Sequence, residues 1–141
     1  MAKVAPLRLL AQDAEDLAVI SAAMQDAVAK VGEITYEPKA RRLTIGFNRY
    51  RWETGENERV RSGLQLGGVL KVQTRKIRRG ARDAVLEVLA VTFEPGEAPG
   101  GLVTISCAGG GDLRAVVECV DAVLADVSDP WPTPRKPKHA E

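Results

Sequence analysis

The hydrophobic period changes along this chain, and that change constrains its fold more than any other feature. Leu17, Ile20, Met24, Val28 and Val31 recur at steps of three and four residues, the apolar stripe of an amphipathic helix. Asp13 has the chemistry of an N-cap, and Glu15 and Asp16 place negative charge in the first turn, where the helix dipole favours it. A helix is therefore predicted from about Ala14 to Val28, preceded by a short strand from Leu7 to Ala11. From Lys30 to Ala108 the period becomes two, which is the signature of half-buried strands.

Within that region Glu33-Ile34-Thr35-Tyr36 leads through a Pro38-Lys39-Ala40 turn into a strand from Arg41 to Trp52. Leu43, Ile45 and Phe47 alternate there with Arg42, Thr44 and Gly46, as expected of an antiparallel strand with one face buried. Further strands are predicted at Arg59 to Leu66, Val69 to Ile77, Val85 to Phe93 and Leu102 to Ala108. They are separated by a polar loop around Gly55, a Gly67-Gly68 bend, a charged turn at Arg78 to Asp83, and a Pro- and Gly-rich loop. Gly109-Gly110-Gly111-Asp112 then opens a second predicted helix, with Leu113, Val116, Val117, Val120, Leu124 and Val127 on one face. Residues 130–141 hold four of the eight prolines, and 131–141 form a Pro-rich, basic tail.

With 141 residues the chain has room for one domain, placed at 1–130 and followed by the tail. The expected fold class is α+β. It is a mostly antiparallel, strongly bent sheet or partly open barrel of about six or seven strands with two amphipathic helices. A meander closed by a terminal helix makes it pleckstrin-homology-like. No run approaches the ~18 apolar residues of a membrane span. Met1 to Gln12 lacks the order of charge, apolar run and cleavage site of a signal peptide, so a cytoplasmic protein with no membrane partner is expected. Cys107 and Cys119 read as reduced thiols, with no CxxC and no neighbouring His to complete a zinc set.

Several segments resemble a small alphaproteobacterial family of unknown function. They are the Asp13 to Val28 run, Phe47-Asn48-Arg49-Tyr50-Arg51-Trp52-Glu53, Ala84 to Ala90 with Phe93-Glu94-Pro95-Gly96, and Ala108 to Gly111. The resemblance covers Leu7 to Trp131. It implies a cytoplasmic bacterial protein and brings no activity, substrate or catalytic residue with it.

Charge is segregated along the chain. Residues 39–82 hold 13 Lys and Arg against 3 Glu, a net +10, and the remainder carries −9. Arg42, Arg49, Arg51, Arg75, Arg78 and Arg79 are the candidates for an anion-binding face built from this segment. The competing reading is that they solubilise the outside of a sheet. In Arg49-Tyr50-Arg51-Trp52, alternation puts the cations on one strand face and the rings on the other, which buries the rings beneath an Arg-lined outer face. The Gly109–Gly111 run lacks the spacing of a phosphate loop and reads as a tight strand-to-helix turn, with Asp112 as cap.

No catalytic, cofactor-binding or metal-binding residues are assigned. The sole histidine, His139, lies in the tail, so no Ser-His or Cys-His pair can be assembled. Carboxylate pairs remain open at Glu33 with Glu37 and at Glu87 with Glu94. Trp131 is a candidate partner contact, and Pro134-Arg135-Lys136-Pro137 is a PxxP segment. The expected role is a non-enzymatic interaction or assembly module with an unknown protein partner or a second copy of itself. The alternative is a weak anion or nucleic-acid binder acting through residues 39–82.

Overall fold

The computed structural model describes residues 6–134. Its elements are β1 (Arg8–Ala11), α1 (Ala14–Met24), β2 (Val28–Lys30), a 3-10 turn (Val31–Glu33), β3 (Ile34–Glu37), β4 (Arg42–Tyr50) and β5 (Glu58–Leu66). They continue with β6 (Val69–Arg75), β7 (Val85–Pro95), β8 (Gly101–Cys107), β9 (Asp112–Val117), β10 (Ala122–Asp126) and β11 (Trp131–Pro132).

Helix α1 forms for the reasons its sequence announces. The Asp13 carboxylate accepts from the Asp16 N–H at 2.8 Å, and Leu17, Ile20 and Met24 are buried on one face. It stops at Met24, four residues before the expected end. Asp26 takes a left-handed φ of 62°, and its N–H donates to the Val88 carbonyl at 2.8 Å, which turns the chain into β2. Ala29 therefore joins the core from β2, and Val31 is buried in the 3-10 turn.

All strand pairs are antiparallel and form one path, β1-β10-β5-β4-β2-β7-β8-β9-β6. β3 adds to β4 beside β2, and β11 adds to β5 beside β10. The long β7 joins the two halves: Val85 to Glu87 pair with β2, whereas Val88 onward pairs with β8 across a register break. One core takes Phe47, Leu64 and Leu124 from the first half, Val103, Ile105 and Leu113 from the second, and Leu17, Ile20 and Met24 from α1. The β6 end of the path also approaches the β3–β4 hairpin. The Val69 N–H donates to the Arg41 carbonyl at 2.8 Å, and the Tyr36 hydroxyl donates to the Val69 carbonyl at 2.9 Å. This brings the beginning of β6 against β3 and β4.

The expected fold class is corrected by this architecture. It is mostly sheet, and among the described residues α1 is the sole α-helix, near the N-terminus. A pleckstrin-homology-like closure by a terminal helix does not occur. The second predicted helix is instead two consecutive strands, β9, which pairs with β6 and β8, and β10, which pairs with β1 and β5. Its three- and four-residue spacings conceal two short alternations, Leu113-Ala115-Val117 and Val120-Ala122-Leu124, and all six residues are buried. The alanines carry no strong apolar signal, and the turn at 118–121 resets the phase. The run of valines favours strand through its stiff β-branched side chains. Gly109 and Gly110, with φ of 87° and 89°, accordingly turn strand into strand rather than into helix. A Cβ at Gly111 would lie 3.1 Å from the Lys76 carbonyl, so the end of β6 packs onto this turn.

Ala115 distinguishes the two arrangements. On the flank of an amphipathic helix Ala115→Leu is tolerated, but in β9 the added methylenes enter a filled core. Urea denaturation is expected to show a loss of about 1–3 kcal/mol for Ala115→Leu. An unchanged midpoint would contradict the inward placement of this residue.

Candidate functional site

Two arginines of the basic segment, Arg49 and Arg51, are committed inside the protein. In β4 the inward series Leu43, Ile45 and Phe47 continues to Arg49, which is fully buried. Its guanidinium donates to Asp126 from Nε at 2.9 Å and Nη2 at 3.0 Å, and to Glu53 from Nη1 at 2.9 Å and Nη2 at 2.7 Å. Asp126 also accepts from the Ser62 hydroxyl at 2.7 Å and the Leu7 N–H at 2.9 Å. Burial pushes both carboxyls up. Hydrogen bonds from Arg49, joined at Asp126 by Ser62 and Leu7, outweigh that cost and hold both below the ordinary carboxylate range. Arg51 is also buried, with its Nη1 2.8 Å from Glu58. The outer face of β4 is therefore not lined by Arg49 and Arg51.

The rings of this segment fasten the same end of the molecule. The Tyr50 hydroxyl donates to Asn57 at 2.6 Å, and the Trp52 indole donates to the Gln25 carbonyl at 2.9 Å. Their centroids are 4.6 Å apart in an edge-on arrangement. Trp131 lies in β11 opposite Arg59, partly exposed. Residues from Arg135 onward, with most of the PxxP segment and His139, lie outside the described residues.

Lys39 and Lys71 are exposed on separate elements and Arg59 donates to the Asp26 and Asn48 carbonyls, while the other cations of the segment divide into two groups. Arg42 meets Glu37 across the β3–β4 hairpin, Arg41 meets Glu118, Arg61 meets Glu33, and Arg75 shares Asp112 with Arg114. Glu33 and Glu37 are thus separate arginine partners rather than a carboxylate pair. Glu87 interacts with Asp26 rather than Glu94. Burial and that hydrogen bond push the Glu87 carboxyl up, against the charge of Arg59. Cys107 is buried, its thiol pushed up by burial and by Asp112, and Cys119 sits in the β9–β10 turn rather than on a helix.

The second group is Lys76, Arg78, Arg79 and Arg82, exposed on the loop between β6 and β7, where no carboxylate of the described residues pairs with them. The loop is anchored to the 3-10 turn, since the Gly32 N–H donates to the Arg82 carbonyl at 2.8 Å and the Val31 N–H to the Ala84 carbonyl at 2.9 Å. Of the six candidate arginines the structure brings only Arg78 and Arg79 together here. Arg82, not among those candidates, joins them.

Beside this loop, where β3 and β6 approach, lies a pocket of about 200 Å³. Val31, Ile34, Tyr36, Val72, Ile77 and Leu113 supply apolar walls, and Thr74, Arg79 and Arg82 the polar lining. A larger groove of about 680 Å³ runs along the β7–β8 loop beside Leu70, but it is open, lined by loop backbone and by Glu94, Glu97 and Glu118. The smaller pocket is the better candidate because it is less open than the groove and has two cations in its lining. Among the described residues no three His, Cys, Asp or Glu side chains gather as metal ligands.

The Arg49 cluster has a defined pH signature. Asp126 and Glu53 titrate below their ordinary values in the folded state. Their stabilisation is complete above the ordinary carboxylate range and is lost as pH falls through it. Asp126→Ala strands Arg49, Ser62 and the Leu7 N–H, and is expected to cost about 3–5 kcal/mol in urea denaturation near neutral pH. The difference from wild type should shrink as pH falls toward 3. A difference constant across that range would show that Asp126 is not a depressed carboxylate.

Among the described residues no helix is long and apolar enough to cross a membrane. No curated protein sequence matches the chain. The profile of one family, described as protein of unknown function (DUF2948), matches residues 7–139, nearly the whole length, and the chain belongs to the DUF2948 family.

Proposed function

We propose that the protein is a non-enzymatic interaction module of the alphaproteobacterial cytoplasm that recognises an acidic partner protein through the loop between β6 and β7. One observation carries this reading. Ion pairs within the protein engage Arg41, Arg42, Arg49, Arg51, Arg61 and Arg75, and Lys39 and Lys71 lie on other elements, so Lys76, Arg78, Arg79 and Arg82 are the cations that share a single anchored loop. A cluster of this kind attracts and orients an oppositely charged surface, and its strength falls with added salt. Nucleic acid is the second reading. It is favoured less because the chain's net charge of +1 lacks the overall basicity of such binders.

The test is a fluorescence-anisotropy titration against a Glu-rich peptide and against mixed-sequence single-stranded DNA. The acidic peptide is expected to saturate at low salt and weaken as salt rises. The Arg78→Glu/Arg79→Glu protein should not bind it. Saturable DNA binding with a salt slope of about −0.7 per phosphate would move the assignment to the nucleic-acid reading. No saturable signal with the peptide at high micromolar protein would overturn the proposal.

A further inference from the structure

Behind the cationic loop, the pocket between β3 and β6 adds a feature that recognition of a flat acidic surface does not use. Its walls are apolar, and its two charged members, Arg79 and Arg82, come from the same anchored loop. We infer that this pocket binds a small organic anion, a carboxylate carried on a compact aromatic or branched aliphatic body. The inference rests on the reading that the loop recognises anions and names a ligand class for its inner side.

Size limits the occupant. At about 200 Å³ the pocket falls below the roughly 300–1,000 Å³ typical of sites for drug-sized ligands. It has room for about seven waters at ~30 Å³ each, which suits one ring or a short branched chain and excludes a nucleotide or a long acyl chain. The walls select for apolar character: Ile34 and Tyr36 from β3, Val72 from β6 and Leu113 from β9 offer a body nothing to hydrogen-bond except Thr74 and the Tyr36 hydroxyl. That hydroxyl already donates to the Val69 carbonyl at 2.9 Å.

Charge limits the head group. The Arg79 and Arg82 guanidiniums make only long contacts to the protein, 3.4 Å to the Val72 carbonyl and 3.4 Å to the Gly32 carbonyl. A planar carboxylate offers either fork a shorter, charge-assisted pair of hydrogen bonds. Arg82 is held near this position because its backbone is bonded to Gly32, where a Cβ would lie 3.2 Å from the Arg82 Cβ. The close approach at Gly32 lets the arginine stem lie along the 3-10 turn with its head beside the pocket.

Titration calorimetry of the full chain with phenylacetate, hexanoate, phenylacetamide and inorganic phosphate tests the inference. Phenylacetate is expected to bind saturably, at least roughly tenfold more tightly than its uncharged amide, because the amide forfeits charge-assisted hydrogen bonds. Inorganic phosphate should bind more weakly than phenylacetate, since it leaves the apolar walls unused. Arg82→Gln should weaken phenylacetate by a similar factor. Thr74→Leu, which fills the pocket from β6 without touching the loop, should abolish binding while circular dichroism remains that of the wild type. Equal binding of phenylacetate and phenylacetamide, phosphate as tight as phenylacetate, or undiminished binding by Thr74→Leu would overturn the inference. Peptide binding without any carboxylate titration would sink the pocket alone, and carboxylate binding without peptide binding would sink the acidic-partner reading alone.

Discussion

A buried guanidinium organises one end of this protein. Arg49 sits where the inward alternation of β4 would otherwise place another aliphatic side chain, and it cannot remain there unpaired. Its two carboxylate partners come from separate parts of the chain, Glu53 just beyond β4 and Asp126 at the end of β10. Asp126 in turn holds Ser62 on β5 and the Leu7 N–H before β1. One cation thereby gathers the N-terminal segment, the central pair β4–β5, the β4–β5 loop and the last long strand. Replacing such a cluster with well-packed apolar groups can be neutral, whereas removing one member is costly, so its contribution lies in specifying one arrangement.

That commitment bears on function through what it leaves over. A segment with thirteen basic residues looks in sequence like a broad cationic face. In the fold many of its arginines are buried or surface partners of Glu and Asp, and Lys76, Arg78, Arg79 and Arg82 share the β6–β7 loop without a carboxylate partner among the described residues. The same loop borders the pocket between β3 and β6, so charge and concavity coincide where the β6 end of the strand path meets β3. Recognition of an anion there needs no rearrangement of the sheet.

The parts legible in the sequence are those set by local chemistry. The Asp13 cap and the Leu17-Ile20-Met24 stripe specify α1, and the alternation in Leu43-Ile45-Phe47 specifies β4. β5, β6, β7 and β8 also fall where turn residues and period two place them. The strands β9 and β10 were hidden because Ala115 and Ala122 fill core positions without an apolar signal, and because the intervening turn makes two alternations look like one helical stripe. Arg49 carried a usable signal, since it shares parity with Phe47, but charge in a strand suggests the solvent face. The pocket was not legible at all. Its lining comes from Val31 to Leu113 on separate strands and a loop, and only the close approach of β6 to β3 and β4 assembles it.

The central claim, that a fully desolvated and doubly paired Arg49 holds this end together, is tested most directly by nitrogen-15 NMR of the arginine side chains near neutral pH. The account predicts a resolved Arg49 Nε–H that exchanges with water far more slowly than that of exposed Arg78. An Arg49 signal exchanging as fast as that of Arg78 would contradict it.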